Sequence, residues 1–255
     1  MKYSLSGTFL SAAVLLSLPV STSAGAADVF DKPLDKQVIK LPADPDNPQA
    51  KPKRSCFYYP GFMVKEVDLG EEGADELSIT PSVKGGQKPL CNPKTAGEMI
   101  VKSDDWSGYF EGVKGDFVFF TAEDGVNGGL GFAVFGGGEG KKLFEDSLVG
   151  DHMPFAQLSG DALMLRYERV YTAPCSLYAD PNGCWRKIKA ATALAGAAGP
   201  DCRSDYEKEM KRVPKFANST RSAKSVIGYK VEARYSGGKL TYLPLDMHAR
   251  CWLED

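Results

Sequence analysis

The sequence predicts a mainly β protein with a minor helical part. We expect a disulfide-stapled antiparallel β domain, sandwich-like or meander-like, with one or two short helices. Glycine, proline and aromatic residues are plentiful (27 Gly, 16 Pro and 11% aromatic), and long stretches of helical periodicity are few. Apolar and polar residues alternate in several short segments, as in half-buried strands. All six cysteines follow an N-terminal segment that has the features of a secretory signal peptide.

That N-terminal segment begins with a positive charge at Lys2 and continues as an apolar run from Leu10 to Val20. Ala24 and Ala26 then offer the small side chains that signal peptidases prefer, so we expect residues 1–26 to be removed on export. The run is too short to span a bilayer, and no later segment is as apolar as a membrane span. We therefore expect a mature chain without a transmembrane segment, located in the periplasm or secreted, where disulfides persist.

Residues 27–55 are expected to form a proline-rich flexible tether, since prolines interrupt any helix and the charges alternate in sign. The prolines of this segment are Pro33, Pro42, Pro45, Pro48 and Pro52. A single β-rich domain is then expected to occupy residues 56–255.

Within this domain, the apolar pattern predicts strands. Met63, Val67 and Leu69 alternate with acidic residues. Residues 117–120 (FVFF) and 132–135 (FAVF) are continuous apolar runs, typical of strands buried on both faces. The glycine-rich residues 136–140 follow the second run and predict a loop between two strands.

The later strands are predicted by alternation and by a turn. Apolar residues alternate from Leu163 to Tyr171, and again from Tyr229 to Tyr235. The pair Gly237-Gly238 then predicts a two-residue hairpin turn with positive φ. This hairpin would place Tyr235 opposite Leu240, and Ala233 opposite Tyr242, which keeps apolar residues facing one another.

Two segments favour helices. Ser204-Asp205-Tyr206-Glu207 fits a capping box, and Pro214 would end the helix that it opens. Residues 186–194 are rich in alanine and predict a second short helix.

The cysteines are expected to form structural disulfides. Cys175 and Cys184 flank Asp180-Pro181-Asn182-Gly183, whose residues favour a tight turn, so a hairpin would bring the two sulfurs together. Free or metal-bound thiols are the alternative, but the absence of any C-x-x-C disfavours zinc ribbons and thioredoxin-like redox sites. Neighbourhood and elimination give the other expected pairs, Cys56–Cys91 and Cys202–Cys251.

The candidate catalytic or metal-binding residues are the two histidines of the chain with their nearest aspartates: His152 with Asp151, and His248 with Asp246. Histidine is the usual group for proton transfer near neutral pH, and its imidazole is a common ligand of Zn²⁺. In a strand, Asp246 and His248 would share a face. If the protein is an enzyme or binds a metal, we expect these residues to form the site. Otherwise each histidine is an isolated surface residue, and no cofactor is expected.

Charge and motifs limit the function. The net charge of −2, without a long block of one sign, argues against nucleic acid as a partner. Neither a G-x-S-x-G elbow nor an H-E-x-x-H helix occurs. The sequence therefore predicts an exported, non-enzymatic binding or interaction protein whose partner is a protein or a cell-envelope component. The alternative is an extracytoplasmic hydrolase with an unrecognised site.

Overall fold

The computed structural model describes residues 29–82 and 87–254. The predicted signal peptide, residues 1–26, lies outside the described residues. The described chain forms two antiparallel β-sheets and three short helices, which confirms the predicted fold class.

The small sheet is a meander in which each strand pairs with the next one along the chain. Its strands are β1 (Asp35–Lys40), β2 (Lys53–Tyr59), β3 (Phe62–Asp68), β4 (Glu76–Pro81) and β5 (Met99–Ile100).

The large sheet has the order β13-β12-β11-β9-β8-β7-β6, and β10 pairs beside β11. In a flat sheet, strands four positions apart are separated by about 19 Å. Phe117 and Tyr235 belong to strands four positions apart, yet their ring centroids are 6.0 Å apart, so the sheet curves strongly. Its strands are β6 (Tyr109–Lys114), β7 (Phe117–Val126), β8 (Gly129–Gly136), β9 (Lys142–Leu148), β10 (Ala156–Ser159), β11 (Ala162–Thr172), β12 (Ser225–Ser236) and β13 (Lys239–Leu253).

The two sheets pack face to face, as in a sandwich. One buried apolar cluster lies between them, with Phe62 and Val64 from β3 facing Val118 and Phe120 from β7. The opposite face of the large sheet carries a second cluster, which the helices cover. The order of layers is therefore small sheet, large sheet and helices.

The predicted strands at residues 117–120 and 132–135 are confirmed. Val118, Phe119 and Phe120 are all buried, because neighbouring side chains enter the two different clusters. The C-terminal hairpin also has the predicted register, with Tyr235 opposite Leu240. Its turn uses positive φ at both Gly237 and Gly238.

The segment predicted as a tether contributes a strand to the small sheet. β1 pairs along its whole length with β2, and β2 itself begins at Lys53, before the expected boundary at residue 56. The prolines do not prevent this pairing, since Pro33 and Pro42 lie on either side of a proline-free run that is long enough for an edge strand.

All three predicted disulfides are present: Cys56–Cys91, Cys175–Cys184 and Cys202–Cys251. The reason given for the second pair is wrong, because residues 180–183 do not form a hairpin. They form the first turn of α1 (Pro181–Ala191), where the Asp180 carboxylate accepts the Gly183 N–H at 2.9 Å. Cys184 lies in this first turn and is buried beside Cys175.

The helix predicted to begin near Ser204 is α2 (Arg203–Arg212), and it ends before Pro214 as expected. The capping box is wrong, because Ser204 lies inside the helix and Cys202 is its N-cap. The Asp201 carboxylate instead accepts the Arg203 N–H at 2.9 Å. The predicted helix at residues 186–194 overlaps α1, and the third helix, α3, spans Ala217–Ser222.

Candidate functional site

The Asp151–His152 pair lies in the loop between β9 and β10. The Nδ1 atom of His152 is 2.6 Å from Oδ1 of Asp151, with the side chains 69% and 91% exposed. Asp151 is one of the residues that line a groove of about 430 Å³, and Glu123 and Asp124 also line it. The pair is therefore a solvated contact beside a groove that three acidic residues line.

The Asp246–His248 pair has a different geometry from the predicted one. Val231 pairs with Pro244 and Tyr229 pairs with Ala249, so residues 245–248 bulge out of the β12–β13 ladder. The Asp246 carboxylate accepts the backbone N–H of His248 at 3.1 Å. Because the pairing of β13 with β12 is irregular here, regular alternation does not set the orientation of the imidazole.

The four predicted site residues do not form one group. Among residues 29–82 and 87–254, no three His, Cys, Asp or Glu side chains come close enough together to hold a metal ion. The two histidine–aspartate pairs thus remain separate, and each lies on an exposed segment.

A buried polar network, which the sequence did not predict, lies on the helix-facing side of the large sheet. The Asp146 carboxylate accepts hydrogen bonds from the Tyr167 hydroxyl at 2.6 Å, the Tyr242 hydroxyl at 2.8 Å and Nε of Arg169 at 2.8 Å. Arg169 also donates to the Tyr229 hydroxyl at 2.9 Å. The side chains of Asp146 and Arg169 are only 5% and 16% exposed.

The ionisation of this network fits a structural role. Burial raises the pKa of Tyr167 well above its ordinary value, and the negative charge of Asp146 raises it further. The same two causes raise the pKa of Tyr242. Burial opposes the charged form of Arg169, but the attraction of Asp146 and the interactions with Tyr229 and Tyr242 together outweigh it and raise the pKa of the guanidinium. The tyrosines therefore stay protonated as donors, and we interpret the network as a clamp between strands.

A largely apolar groove lies beside β1, where the chain leaves the small sheet and returns to it. It has a volume of about 410 Å³. We call it the β1 groove, and it is lined by Val38, Lys40, Leu41, Ala43, Ala50, Lys51, Pro52 and Lys53. An apolar floor with a few charged groups at the rim is typical of binding sites.

The charge of the β1 groove is positive. Lys40 lies directly opposite Lys53 in the β1–β2 ladder, an arrangement that is destabilising for like charges. Nζ of Lys53 is 2.9 Å from an Asp68 oxygen, a hydrogen bond that raises the pKa of Lys53. Among the described residues, Lys40 and Lys51 have no ion-pair partner.

β1 is also an edge strand of the small sheet, and its outer side pairs with no strand among the described residues. At the other end of the small sheet, β5 has only two residues. In the large sheet, β13 contains Pro244 and the bulge that follows it, and both disrupt edge pairing. The N–H of Asp31 already bonds to the Val113 carbonyl of β6.

Sequence reasoning missed the β1 groove because it assigned the segment to a tether. The available signal was the pair of β-branched residues Val38 and Ile39 in a proline-free run between Pro33 and Pro42. Comparisons with protein-family models, with curated proteins and with solved structures found no match to this chain.

Proposed function

We propose that this protein is an exported, non-enzymatic binding protein of the cell envelope or the extracellular space, and that it binds its partner through the β1 groove. The observation that carries the proposal is the combination of an apolar floor with two lysines, Lys40 and Lys51, that have no ion-pair partner among the described residues. Unpaired charge beside exposed apolar surface is typical of a site that a partner completes.

Export is supported by the cysteines and by the N-terminal sequence. Three disulfides are typical of proteins that fold in an oxidising compartment. No helix in the described ranges is both long and apolar enough to cross a bilayer. The signal-like residues 1–26 give the route to a periplasmic or secreted location.

In-cell photo-crosslinking tests the proposal. A photoreactive residue at Val38, 51% exposed in the β1 groove, should crosslink to a defined partner. The same residue at Val126, 64% exposed on the large sheet, is the matched control. The purified partner should then bind the wild-type protein saturably and bind the Lys40→Glu/Lys51→Glu variant more weakly. Equal crosslinking from both positions, or none from Val38, contradicts the proposal.

A hydrolase is the second candidate, and the 2.6 Å contact between His152 and Asp151 favours it. An imidazole held by a carboxylate is half of many acid–base sites. Purified wild-type protein should be assayed on chromogenic esters, glycosides and phosphates, with His152→Ala beside His248→Ala. Hydrolysis that is lost only in His152→Ala would support the enzyme and count against the binding protein.

A further inference from the structure

We infer that the β1 groove binds an extended, acidic segment of a partner protein, which adds as a further strand to the edge of β1 that pairs with no strand in residues 29–82 and 87–254. This inference rests on the proposed function and names its partner class. It combines the hydrogen-bonding edge of β1, the side-chain pattern of β1 and the charge of the groove.

The main chain of β1 has bonding groups directed outward. The N–H of Leu41 donates inward to the Pro52 carbonyl at 2.9 Å. Since successive residues of a strand direct their N–H and C=O groups to opposite edges, those of Val38 and Lys40 face the free edge. The N–H of Lys36, which shares this direction, is bonded to the carboxylate of Asp35 at 2.9 Å. An added strand would therefore bond mainly to Val38 and Lys40.

The side chains of β1 specify what that strand carries. Lys36, Val38 and Lys40 lie on one face, because they are spaced by two residues. An incoming strand with acidic, apolar and acidic side chains on the same face complements this row. Opposite charges in neighbouring strands attract, and the apolar residue covers Val38 and the floor of the groove. Strand addition of this kind takes its affinity from the main chain and its specificity from alternate side chains.

The same lysines argue against a second copy of this chain as the occupant. Pairing β1 with β1 would bring lysines of both copies together, and like charges in adjacent strands repel. Lysine on an edge strand is a known protection against self-association. An acidic partner strand attracts these lysines instead of repelling them. The charge of β1 therefore favours an acidic partner over a second copy of this chain.

Synthetic peptides provide the test. An eight-residue acetylated peptide that alternates glutamate with valine or threonine is titrated into the mature protein, and binding is followed by fluorescence anisotropy. A peptide with lysine in place of glutamate tests charge, and an acidic peptide with alternate amides N-methylated tests strand addition. We expect binding of the acidic peptide only, weakened about tenfold or more by Lys40→Glu/Lys51→Glu and also weakened by salt. Lys239→Glu, an exposed change in the large sheet, is the control and should bind normally.

The outcomes separate the inference from the proposed function. Equal binding of the N-methylated peptide would overturn strand addition, and equal binding of the lysine peptide would overturn the acidic partner class. Binding of oleate or of phosphatidylglycerol vesicles without binding of the peptide would place an anionic lipid in the groove, so the inference would fail and the proposed function would stand. If neither peptide nor lipid binds and Val38 gives no crosslink, both fail.

Discussion

Lys65 is a fully buried cation whose partners hold a long loop onto the outer face of the small sheet. Its ammonium contacts Glu76 at 2.7 Å and the Pro93 carbonyl at 3.0 Å, and it also pairs with Glu98, whose side chain is only 6% exposed. Burial alone would raise the pKa of Glu98, but hydrogen bonds from Lys65 and Ser78 outweigh it and lower that pKa. Lys65 therefore stabilises the charged form of the buried Glu98 carboxylate, and the carboxylates in turn stabilise the buried ammonium of Lys65.

Replacing Lys65 with Met should destabilise the protein strongly. The change leaves the Glu98 carboxylate buried without its cation, and breaking a buried ion pair in this way costs about 3–5 kcal/mol. Lys224→Met, which removes the exposed pair with Glu254, is the matched control and should cost under about 1 kcal/mol. Denaturant unfolding measures the loss of unfolding free energy in both variants. Equal losses would show that the buried ion pairs of Lys65 stabilise the protein no more than the exposed pair of Lys224 does.

Tyr59 should make the stability fall at alkaline pH. Burial raises the pKa of Tyr59 from its ordinary value of 10.0 to about 12, and the charge of Asp31 adds to this effect. Above pH 10.0 the unfolded chain loses this proton while the folded protein keeps it, so the stabilisation present below pH 10.0 is lost as the pH rises to about 12. Tyr59→Phe removes the ionisable group. The variant should therefore lose less unfolding free energy than the wild type between pH 9 and 11, by about 1 kcal/mol. Identical pH profiles would contradict this assignment.

At the scale of elements, α1 depends on the capping of its first turn. Asp180 accepts the Gly183 N–H, and the helix that follows places Cys184 beside Cys175 and buries Trp185. Asp180→Ala should destabilise the protein by about 1 kcal/mol, because an orphan N–H loses its acceptor. Asp180→Ser keeps an acceptor and should recover most of that loss. Denaturant unfolding measures the stability of both variants, and no difference between them would argue against the cap.

The same helix illustrates what the sequence can predict. The residue types at 180–183 fit either a hairpin turn or the capped first turn of a helix. The packing of Trp185 and Ile188 against the large sheet selects the helix. The hairpin at Gly237-Gly238 was predictable because its two strands are adjacent in sequence and two glycines allow one tight turn. The register of this hairpin is therefore determined by residues that are close in sequence, whereas tertiary packing determines the structure after Asp180.

The site residues show the same limit at longer range. Asp146 and Tyr242 are 96 residues apart, and they meet only because the large sheet curves. No spacing rule connects them. His152 and Asp151 are neighbours in the chain, so their contact does not depend on the tertiary fold. The prediction for Asp246 and His248 depended on regular strand alternation, which the bulge at residues 245–248 removes.

At the scale of the whole molecule, the Asp146 network determines how the curved sheet is held together. Asp146 lies on β9, its ion-pair partner Arg169 lies on β11, and Tyr242 adds β13 to the group. Strands that are distant along the sheet thus share one buried charge centre. The small sheet contributes no residue to the contacts of this carboxylate.

Asp146→Asn should therefore destabilise the large sheet as a unit. It leaves the mostly buried guanidinium of Arg169 without its counter-charge, at a cost of about 3–5 kcal/mol. Arg169→Met alone leaves the carboxylate unpaired and should cost a similar amount. The double variant Asp146→Asn/Arg169→Met carries neither charge, so its loss should be smaller than the sum of the two single losses. Hydrogen exchange in the single variants should accelerate in β9, β11 and β13 before it changes in β2 and β3. Strict additivity of the losses, or acceleration confined to β9, would show that the network does not couple these strands.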